Sequence, residues 1–172
     1  LNKKSIKKLV MGKRVLITGA GGSIGSELVR QCLKYKPSLL VMLDISELNL
    51  FKIDRESRKE KSKILFKPIL SDIRDKVLID EIFEEYKPQI VFHAAAYKHV
   101  PIQEKFPSEA VKTNIFGTYN LGRAAIKNSA EKFVLVSTDK AVNPVNVMGA
   151  TKRIAEIIMQ NLNYSQNNTI FM

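Results

Sequence analysis

Three glycines at regular spacing stand where an apolar run passes directly into a helical pattern. The run over 15–18 is followed by Gly19, Gly22 and Gly25, with the spacing G-x-x-G-x-x-G. Backbone N–H groups converge at such a junction and the helix dipole favours negative charge, so the turn can bind a pyrophosphate. We expect a side chain at Gly19 to strain the turn, one at Gly22 to hold phosphates away, and one at Gly25 to push the helix off the sheet.

An acidic residue stands where a dinucleotide-binding unit requires one. Asp44 ends the next apolar run, 19 residues after Gly25. A carboxylate there accepts hydrogen bonds from the adenosine ribose hydroxyls. It also repels a 2′-phosphate, so we expect NAD rather than NADP, although Lys and Arg residues of the following helix offset part of that repulsion.

The elements that must position these residues alternate between apolar runs and helical patterns. The pattern predicts strands near 14–18, 39–44, 64–69, 89–94 and 132–137 with one more starting near 169, and helices near 23–35, 46–60, 75–87, 105–128 and 149–163. Short, nearly continuous apolar strands suit a parallel sheet covered on both faces. We therefore predict an α/β fold, a doubly wound parallel sheet of the Rossmann type.

Other polar residues follow the predicted strands and should meet at one rim, where such sheets bind ligands. We expect Asp72 to accept a hydrogen bond from an adenine amino group, with capping of the next helix as the alternative. The small residues at 94–96 allow a close approach of the cofactor, although tight core packing explains them equally. Taken alone, the adjacent Asp139 and Lys140 are typical of a surface ion pair.

The histidines and the cysteine do not indicate a metal or a disulfide. His93 ends a strand and is expected to be a hydrogen-bonded core histidine, whereas His99 either contacts substrate or begins the next helix. Neither has a second His or Cys at ligand spacing, so we predict no metal site. The single Cys32 lies in a predicted helix, where we expect it to be buried.

Four segments together resemble the extended short-chain dehydrogenase/reductase superfamily: TGAGGSIGSEL, LDISELNL, HAAAYKHVP and STDKAVNPVNVMGATKR. More narrowly, they are similar to the CapD-type nucleotide-sugar 4,6-dehydratases of bacterial polysaccharide and glycoprotein synthesis. The strongest similarity is to the membrane-anchored, configuration-retaining UDP-N-acetylglucosamine 4,6-dehydratases. It extends from Lys13 to Met172, and the last segment is the most specific.

The resemblance implies a tightly held NAD that takes hydride from C4 of the sugar and returns it to C6 after water is lost across C5 and C6. Together with the strand-end positions, it predicts cofactor contacts from Gly19, Gly22, Ser23, Ile24, Gly25, Asp44, Ser46, Asp72, Ile73, Ala94, Ala95, Ala96, Asn114, Ser137 and Lys152. Asn114 resembles the structural asparagine that supports the active-site backbone in this superfamily. Substrate contacts are expected from Lys98, His99 and Thr138.

Catalytic roles also come from the resemblance. Thr138 binds the C4 oxygen, Asp139 protonates the departing C6 hydroxyl and Lys140 removes the C5 proton, although which of the last two handles which proton stays open. These roles need a raised pKa at Asp139 and a lowered pKa at Lys140. Lys152 occupies the lysine position of the superfamily's Tyr-x-x-x-Lys pair and is expected to bind the nicotinamide ribose.

Met148 stands at the tyrosine position of that pair. A thioether cannot accept the C4 hydroxyl proton, so a water, Asp139 or a relay through Thr138 must act as the base. We expect Met148 to pack against the sugar or the nicotinamide, with plain core filling as the alternative. The rival functions are a nucleotide-sugar 4-epimerase and a non-catalytic NAD-binding module, in which Met148 marks lost catalysis.

The net charge of +11 over 172 residues comes largely from Lys and Arg clusters at 3–13 and 52–67. Interleaved aromatics, a helix-turn-helix pattern and zinc spacing are absent from the sequence, so we expect no specific nucleic-acid binding; a basic nucleic-acid adaptor is the third alternative. The charge favours anionic ligands or proximity to an anionic membrane surface. No apolar run approaches the roughly 18 residues of a membrane helix.

Both ends look cut in the sequence. We expect residues 1–12 to be a basic lead-in and 13–172 to be the NAD-binding domain, without the C-terminal substrate-binding part and therefore inactive in isolation. The resemblance implies a homo-oligomer formed by the helices near 105–128 and 149–163. It also implies a parent protein anchored through upstream segments at the cytoplasmic face of the bacterial inner membrane.

Overall fold

A computed structural model of the protein describes residues 3–59 and 64–172. Its strands are β1 (Arg14–Thr18), β2 (Leu39–Asp44), β3 (Leu65–Leu70), β4 (Ile90–His93), β5 (Lys132–Leu135) and β6 (Ile170–Phe171). They form one parallel sheet in the order β3-β2-β1-β4-β5-β6. This is the strand order of the Rossmann fold, and it confirms the predicted fold class.

Helices cover both faces of the sheet. They are α1 (Lys3–Val10), α2 (Ser23–Lys34), α3 (Glu47–Ser57), α4 (Lys76–Tyr86), α5 (Val100–Lys105), α6 (Pro107–Ala110), α7 (Thr118–Lys127) and α8 (Val147–Tyr164). A π-helical turn over Val111–Gly117 joins α6 to α7, and a 3₁₀ turn over Asp139–Ala141 follows β5. Side chains of Ser46, Asp75 and Asn146 cap α3, α4 and α8 by accepting a backbone N–H three residues on.

Alternating strand residues divide the core into two layers. On one face, Leu16 and Val91 pack with side chains of α4, α7 and α8. On the other face, Val15 and Ile17 pack with side chains of α1, α2 and α3. Cys32 belongs to this second layer, where burial raises the pKa of its thiol to about 12, so the expected buried cysteine is confirmed.

The structure departs from the predicted elements in two places. The lead-in forms helix α1, which the sequence pattern did not predict, and Val10 at its end is 1% exposed in the core. Helix α5 was also not predicted; it ends before Phe106, and Pro107 begins the continuous helical stretch that the sequence placed over 105–128. Residue 60, where the second predicted helix was expected to end, lies outside the described residues.

Two findings concern the described residues alone. Among residues 3–59 and 64–172, no three His, Cys, Asp or Glu side chains gather as ligands for a metal ion. In the same part of the chain, every helix is too short or too polar to cross a bilayer.

His93 ties β4 to strand β1 and to helix α7 in the core. Its Nδ1 lies 2.7 Å from the Oγ1 of Thr18 on β1, and its Nε2 lies 2.9 Å from the Oγ1 of Thr118 on α7. Burial lowers the pKa of His93 to about 3, and the charge of Lys152 acts in the same direction. The prediction of a hydrogen-bonded core histidine is confirmed.

Because of His93, the free energy of unfolding should decrease as the pH is lowered from neutral. The imidazole stays uncharged when folded but titrates near 6.5 when unfolded, so the unfolded chain binds more protons. Its contribution is complete above pH 6.5 and is lost as pH falls towards 3, by up to about 1.4 kcal/mol per pH unit. We expect denaturant unfolding between pH 6 and 5 to show this slope, and a His93→Gln variant to have a shallower one. Equal slopes would contradict the assignment.

Candidate cofactor and active site

Two of the three predicted glycines of the turn after β1 are required for steric reasons. Gly19 has a φ of +65°, and a Cβ on it would lie 2.7 Å from the backbone N of Ala95. A Cβ on Gly25 would collide with the Gly19 carbonyl, so this glycine lets α2 begin directly on the turn. A Cβ on Gly22 would meet only the Gly19 oxygen, at 3.2 Å, and its contact with phosphates stays a prediction.

Asp44 fixes the glycine turn to the end of β2. Its Oδ2 accepts the Gly21 N–H at 2.8 Å and its Oδ1 accepts the Ser46 N–H at 2.9 Å. Gly21 was not part of the predicted pattern, but a Cβ on it would lie 2.6 Å from the Asn49 backbone carbon. The carboxylate still lines the cleft, and its remaining lone pairs can accept further hydrogen bonds.

A cleft of about 200 Å³ runs along the carboxyl ends of β1 to β4. Most of the predicted cofactor residues line it: Gly19, Gly22, Ser23, Ile24, Gly25, Asp44, Asp72, Ile73, Ala94, Ala95 and Ala96. Tyr97 and Lys98 extend the lining beyond β4. The other predicted cofactor and substrate residues are not among the lining residues: Ser46, Asn114, Ser137, Lys152, His99 and Thr138. The Ser46 hydroxyl instead accepts the Asn49 N–H at the start of α3.

Thr113 is a cleft residue that sequence reasoning missed. It lies on the π-helical turn, is 7% exposed, and its buried Oγ1 has no hydrogen-bond partner within the described part of the chain. A buried hydroxyl without a partner is costly, so this group is available to a bound molecule. A threonine inside an amphipathic helical pattern carries no sequence signal for that role.

Asp72 is held by Arg74 at the end of β3. Its carboxylate accepts the Arg74 backbone N–H at 2.9 Å and the Nε–H at 2.6 Å. Partial burial raises the pKa of Asp72, but the hydrogen bonds and charge of Arg74 outweigh it and lower the pKa. Asp75, not Asp72, caps α4, so the capping alternative is wrong and the adenine contact stays a prediction.

Asn114 supports the backbone at the far end of the cleft. Its Nδ2 donates to the Tyr97 carbonyl at 2.9 Å, and its Oδ1 accepts the Tyr97 N–H at 2.8 Å. A further bond from Nδ2 reaches the Oγ1 of Thr151 on α8, at 3.0 Å. Asn114 is therefore placed as the expected backbone support. Its predicted cofactor contact can act only through Tyr97, because Asn114 is itself buried and not among the lining residues.

Met148 and Lys152 lie one turn apart on the buried side of α8. The Lys152 Nζ donates to the Val136 carbonyl, beyond the end of β5, at 2.6 Å. Burial lowers the pKa of Lys152 to about 8, and the charge of Glu156 opposes this shift. Met148 is 3% exposed, so it fills space in the interior at the start of α8.

The segment 138–140 forms a turn beyond β5 in which Thr138 is half-buried and Asp139 and Lys140 are exposed. The Thr138 Oγ1 donates to Asp139 Oδ1 at 2.9 Å, and the Lys140 Nζ lies 3.7 Å from the same oxygen. The Thr138 hydrogen bond and the Lys140 charge lower the pKa of Asp139, whose side chain is 89% exposed. Without a sugar, nothing in the described part of the chain buries this carboxylate, and the raised pKa that burial beside a sugar would give stays a prediction.

Comparison with known proteins agrees with this arrangement. A family described as "Polysaccharide biosynthesis protein" matches residues 15–172. The chain is 46% identical over 168 residues to the capsular polysaccharide biosynthesis protein CapD of Staphylococcus aureus, covering 97% of this chain and 28% of that protein. Among solved structures, Pen from Bacillus thuringiensis is 36% identical with a TM-score of 0.85, over 94% of this chain and 49% of that one.

Relatives at 38% identity differ in reaction. One is the UDP-N-acetylglucosamine 4,6-dehydratase (inverting) of Campylobacter jejuni, matched over 82% of this chain and 41% of that protein. Another is the UDP-glucose 4-epimerase of Rickettsia canadensis, matched over 86% of this chain and 43% of that protein. The chain thus spans between about a quarter and a half of the length of these relatives. It belongs to the polysaccharide biosynthesis protein family, within the extended short-chain dehydrogenase/reductase superfamily.

Proposed function

We propose that the cleft binds NAD. The residues fit such a group. The turn at 19–25 offers backbone N–H groups at the start of α2. The buried Thr113 hydroxyl has no hydrogen-bond partner among the described residues and would be available to a molecule bound in the cleft. The adenine would lie at Asp72 and Ile73, and the adenosine ribose at Asp44. The nicotinamide end would then lie beyond the cleft, near Ser137 and Lys152.

Asp44 should make the chain prefer NAD to NADP. Its carboxylate is 7% exposed and already accepts two backbone N–H groups, so a 2′-phosphate beside it would be repelled. We expect the dissociation constant for NAD to be at least about tenfold lower than that for NADP by calorimetry. Asp44→Asn should narrow the difference between the two dissociation constants, whereas Asp54→Asn on α3, where the aspartate pairs with Arg58, should not. Tighter NADP binding would overturn the role of Asp44.

We propose that the complete gene product is a UDP-N-acetylglucosamine 4,6-dehydratase of bacterial glycan and glycoprotein synthesis. NAD would supply a hydride acceptor that is restored in every turnover. The observation that carries this proposal is the segment 138–140, which places a hydroxyl, a carboxylate and an amine on one turn beyond β5. Elimination requires a general acid at C6, whereas inversion at C4 by a 4-epimerase does not.

The hydrogen bond within that turn suggests how the missing tyrosine is replaced. The Thr138 hydroxyl donates to Asp139, which its neighbours keep ionised at neutral pH. We propose that Asp139 receives the C4 hydroxyl proton through Thr138 and later gives it to the departing C6 hydroxyl, forming water. Lys140 removes the C5 proton in the elimination and would return a proton to C5 when C6 is reduced, so the protein ends each turnover in its starting protonation state. A bound sugar would bury Asp139 and raise the pKa of its carboxyl between these two steps.

The dehydratase proposal predicts a defined product and a defined loss of activity. The complete gene product with UDP-N-acetylglucosamine should release water and give a 4-keto-6-deoxy sugar without added NAD. Asp139→Asn should lower the rate by about 10²-fold or more, because both proton steps use that carboxylate. The 172-residue chain alone should bind NAD without turnover.

A matched control and three contradicting results make the test decisive. Asp54→Asn removes another aspartate paired with a basic neighbour, on α3 at 2.8 Å from Arg58, and should leave the rate unchanged. Inversion at C4 without loss of water would support the epimerase. Elimination that is insensitive to Asp139→Asn would refute the proposed proton path, and the absence of any sugar chemistry would favour a non-catalytic NAD-binding module.

We also propose that two copies of the chain associate through α7 and α8. Phe116 and Tyr119 are 57% and 45% exposed, three residues apart. Ile154 and Ile157 on the neighbouring α8 are 42% and 41% exposed at the same spacing. An apolar patch of this kind is typical of an interface between subunits.

The dimer should dissociate when this patch is charged. We expect sedimentation equilibrium at micromolar concentration to give the mass of two chains, and Ile157→Asp to give that of one. Val77→Asp is the matched control, because Val77 on α4 is 66% exposed and lies outside the patch. A monomeric parent chain, or dissociation by the control variant, would contradict this interface.

For the complete gene product, we propose a place at the cytoplasmic face of the bacterial inner membrane. Exposed Lys7 and Lys8 on α1 contribute to the net charge of +11, which favours proximity to anionic lipid headgroups. Upstream segments would supply the anchor that the resemblance implies.

A further inference from the structure

The chain beyond β5 is tied to α8 at two successive residues. The Lys152 Nζ donates to the Val136 carbonyl at 2.6 Å, and the Ser137 Oγ donates to Glu156 Oε1 at 2.5 Å. Lys152 and Glu156 stand four residues apart on α8, so both reach the same side of that helix. Thr138, the first residue of the turn at 138–140, follows this clamp directly.

Both oxygens of the Glu156 carboxylate have partners. Oε1 accepts the Ser137 hydroxyl, and Oε2 accepts an N–H of Arg153 at 3.0 Å. The side chain is 24% exposed, which is less than the 48% of Arg153. The carboxylate is therefore fixed beside the end of β5 and does not swing freely in solvent.

We propose that Glu156 is a positioning residue for the dehydration. It holds Ser137, and through it the backbone of Thr138, while its negative charge favours the ammonium form of Lys152. This inference rests on the proposed function, because it assigns to Lys152 and Thr138 the roles given above. Glu156 itself touches neither cofactor nor sugar in this proposal.

The charges around Lys152 leave Glu156 as its main electrostatic support. Burial lowers the pKa of Lys152 to about 8. The negative charge of Glu156 opposes this shift and keeps the pKa from falling further. His93, from β4, is uncharged at neutral pH because burial lowers its pKa to about 3. On the 3₁₀ turn that packs against α8, Asp139 and Lys140 pair with each other.

The carboxylates on the other described elements that pack against α8 already have partners, as do several of the cations. On the π-helical turn, Lys112 pairs with Glu109 of α6 at 2.8 Å. Glu104 on α5 accepts the Val147 N–H at 2.7 Å, at the start of α8 and more than a turn from Lys152. Arg123 on α7 pairs with Asp80 of α4. Removing the Glu156 charge should therefore lower the pKa of Lys152 without another carboxylate taking its place.

Two variants separate the electrostatic effect of Glu156 on Lys152 from its hydrogen bond to Ser137. Glu156→Gln keeps an oxygen that accepts the Ser137 hydroxyl but removes the charge. Ser137→Ala keeps the charge but removes the tie to the strand end. In the 172-residue chain, the pKa of Lys152 is read from a ¹³Cε NMR titration, with the signal assigned by its loss in Lys152→Arg.

We expect Glu156→Gln to lower the pKa of Lys152 by about half a unit to one unit and Ser137→Ala to leave it unchanged. In the complete gene product, the alkaline limb of the rate should move to lower pH in Glu156→Gln by the same amount, because Lys152 acts as the ammonium. Ser137→Ala should lower kcat by about tenfold without moving that limb or KM. Glu27→Gln, the matched control, removes a carboxylate paired with an arginine three residues away on α2 and should keep the pH limb of the parent.

Two results would overturn the inference: an unchanged Lys152 titration in Glu156→Gln, or an unchanged kcat in Ser137→Ala. The NMR titration contains no sugar, so it tests the electrostatic role separately from the reaction. A shifted titration together with an absence of dehydration in the parent protein would refute the proposed function and leave the effect of Glu156 on Lys152 standing.

Discussion

The arrangement of the cleft depends on one carboxylate. Asp44 accepts the N–H groups of Gly21 and Ser46, and so joins the glycine turn after β1 to the start of α3 after β2. Because Gly19 has no Cβ, the same turn can also pack closely against Ala95 in the segment that follows β4. Three strand ends are thereby brought within the reach of one elongated ligand.

The far half of the site is built differently. Helical side chains fix its backbone by hydrogen bonds. Asn114 bonds to the Tyr97 backbone. Lys152 donates to the Val136 carbonyl, and Glu156 accepts the Ser137 hydroxyl. In the turn at 138–140 that follows, Asp139 is exposed, and the Thr138 hydrogen bond and the Lys140 charge lower the pKa of its carboxyl. The described residues thus form a cleft with a hydrogen-bonded backbone beside an exposed turn. This arrangement is expected if the proposed sugar substrate covers the turn when it binds.

Much of this architecture was predictable because it obeys local rules. Apolar runs of strand length, the glycine spacing and an acid 19 residues later identify the sheet, the turn and Asp44. Helix α1 was missed because Val10 gains its burial only from tertiary packing. Thr113 and Glu156 were missed for a similar reason: each is an ordinary helical residue until the fold places it beside a cleft or a strand end. The state of Asp139 depends on solvent exposure, which sequence spacing does not report.

The central claim is that the cofactor extends from Asp44 to the turn beyond β5. A crystal structure of the chain with bound NAD tests it most directly. The account predicts the adenosine ribose at the Asp44 carboxylate and the nicotinamide ring between Lys152 and Thr138, with its reactive carbon facing the open side of the turn. A nicotinamide ring directed away from 138–140, with the adenosine placed elsewhere than Asp44, would contradict it.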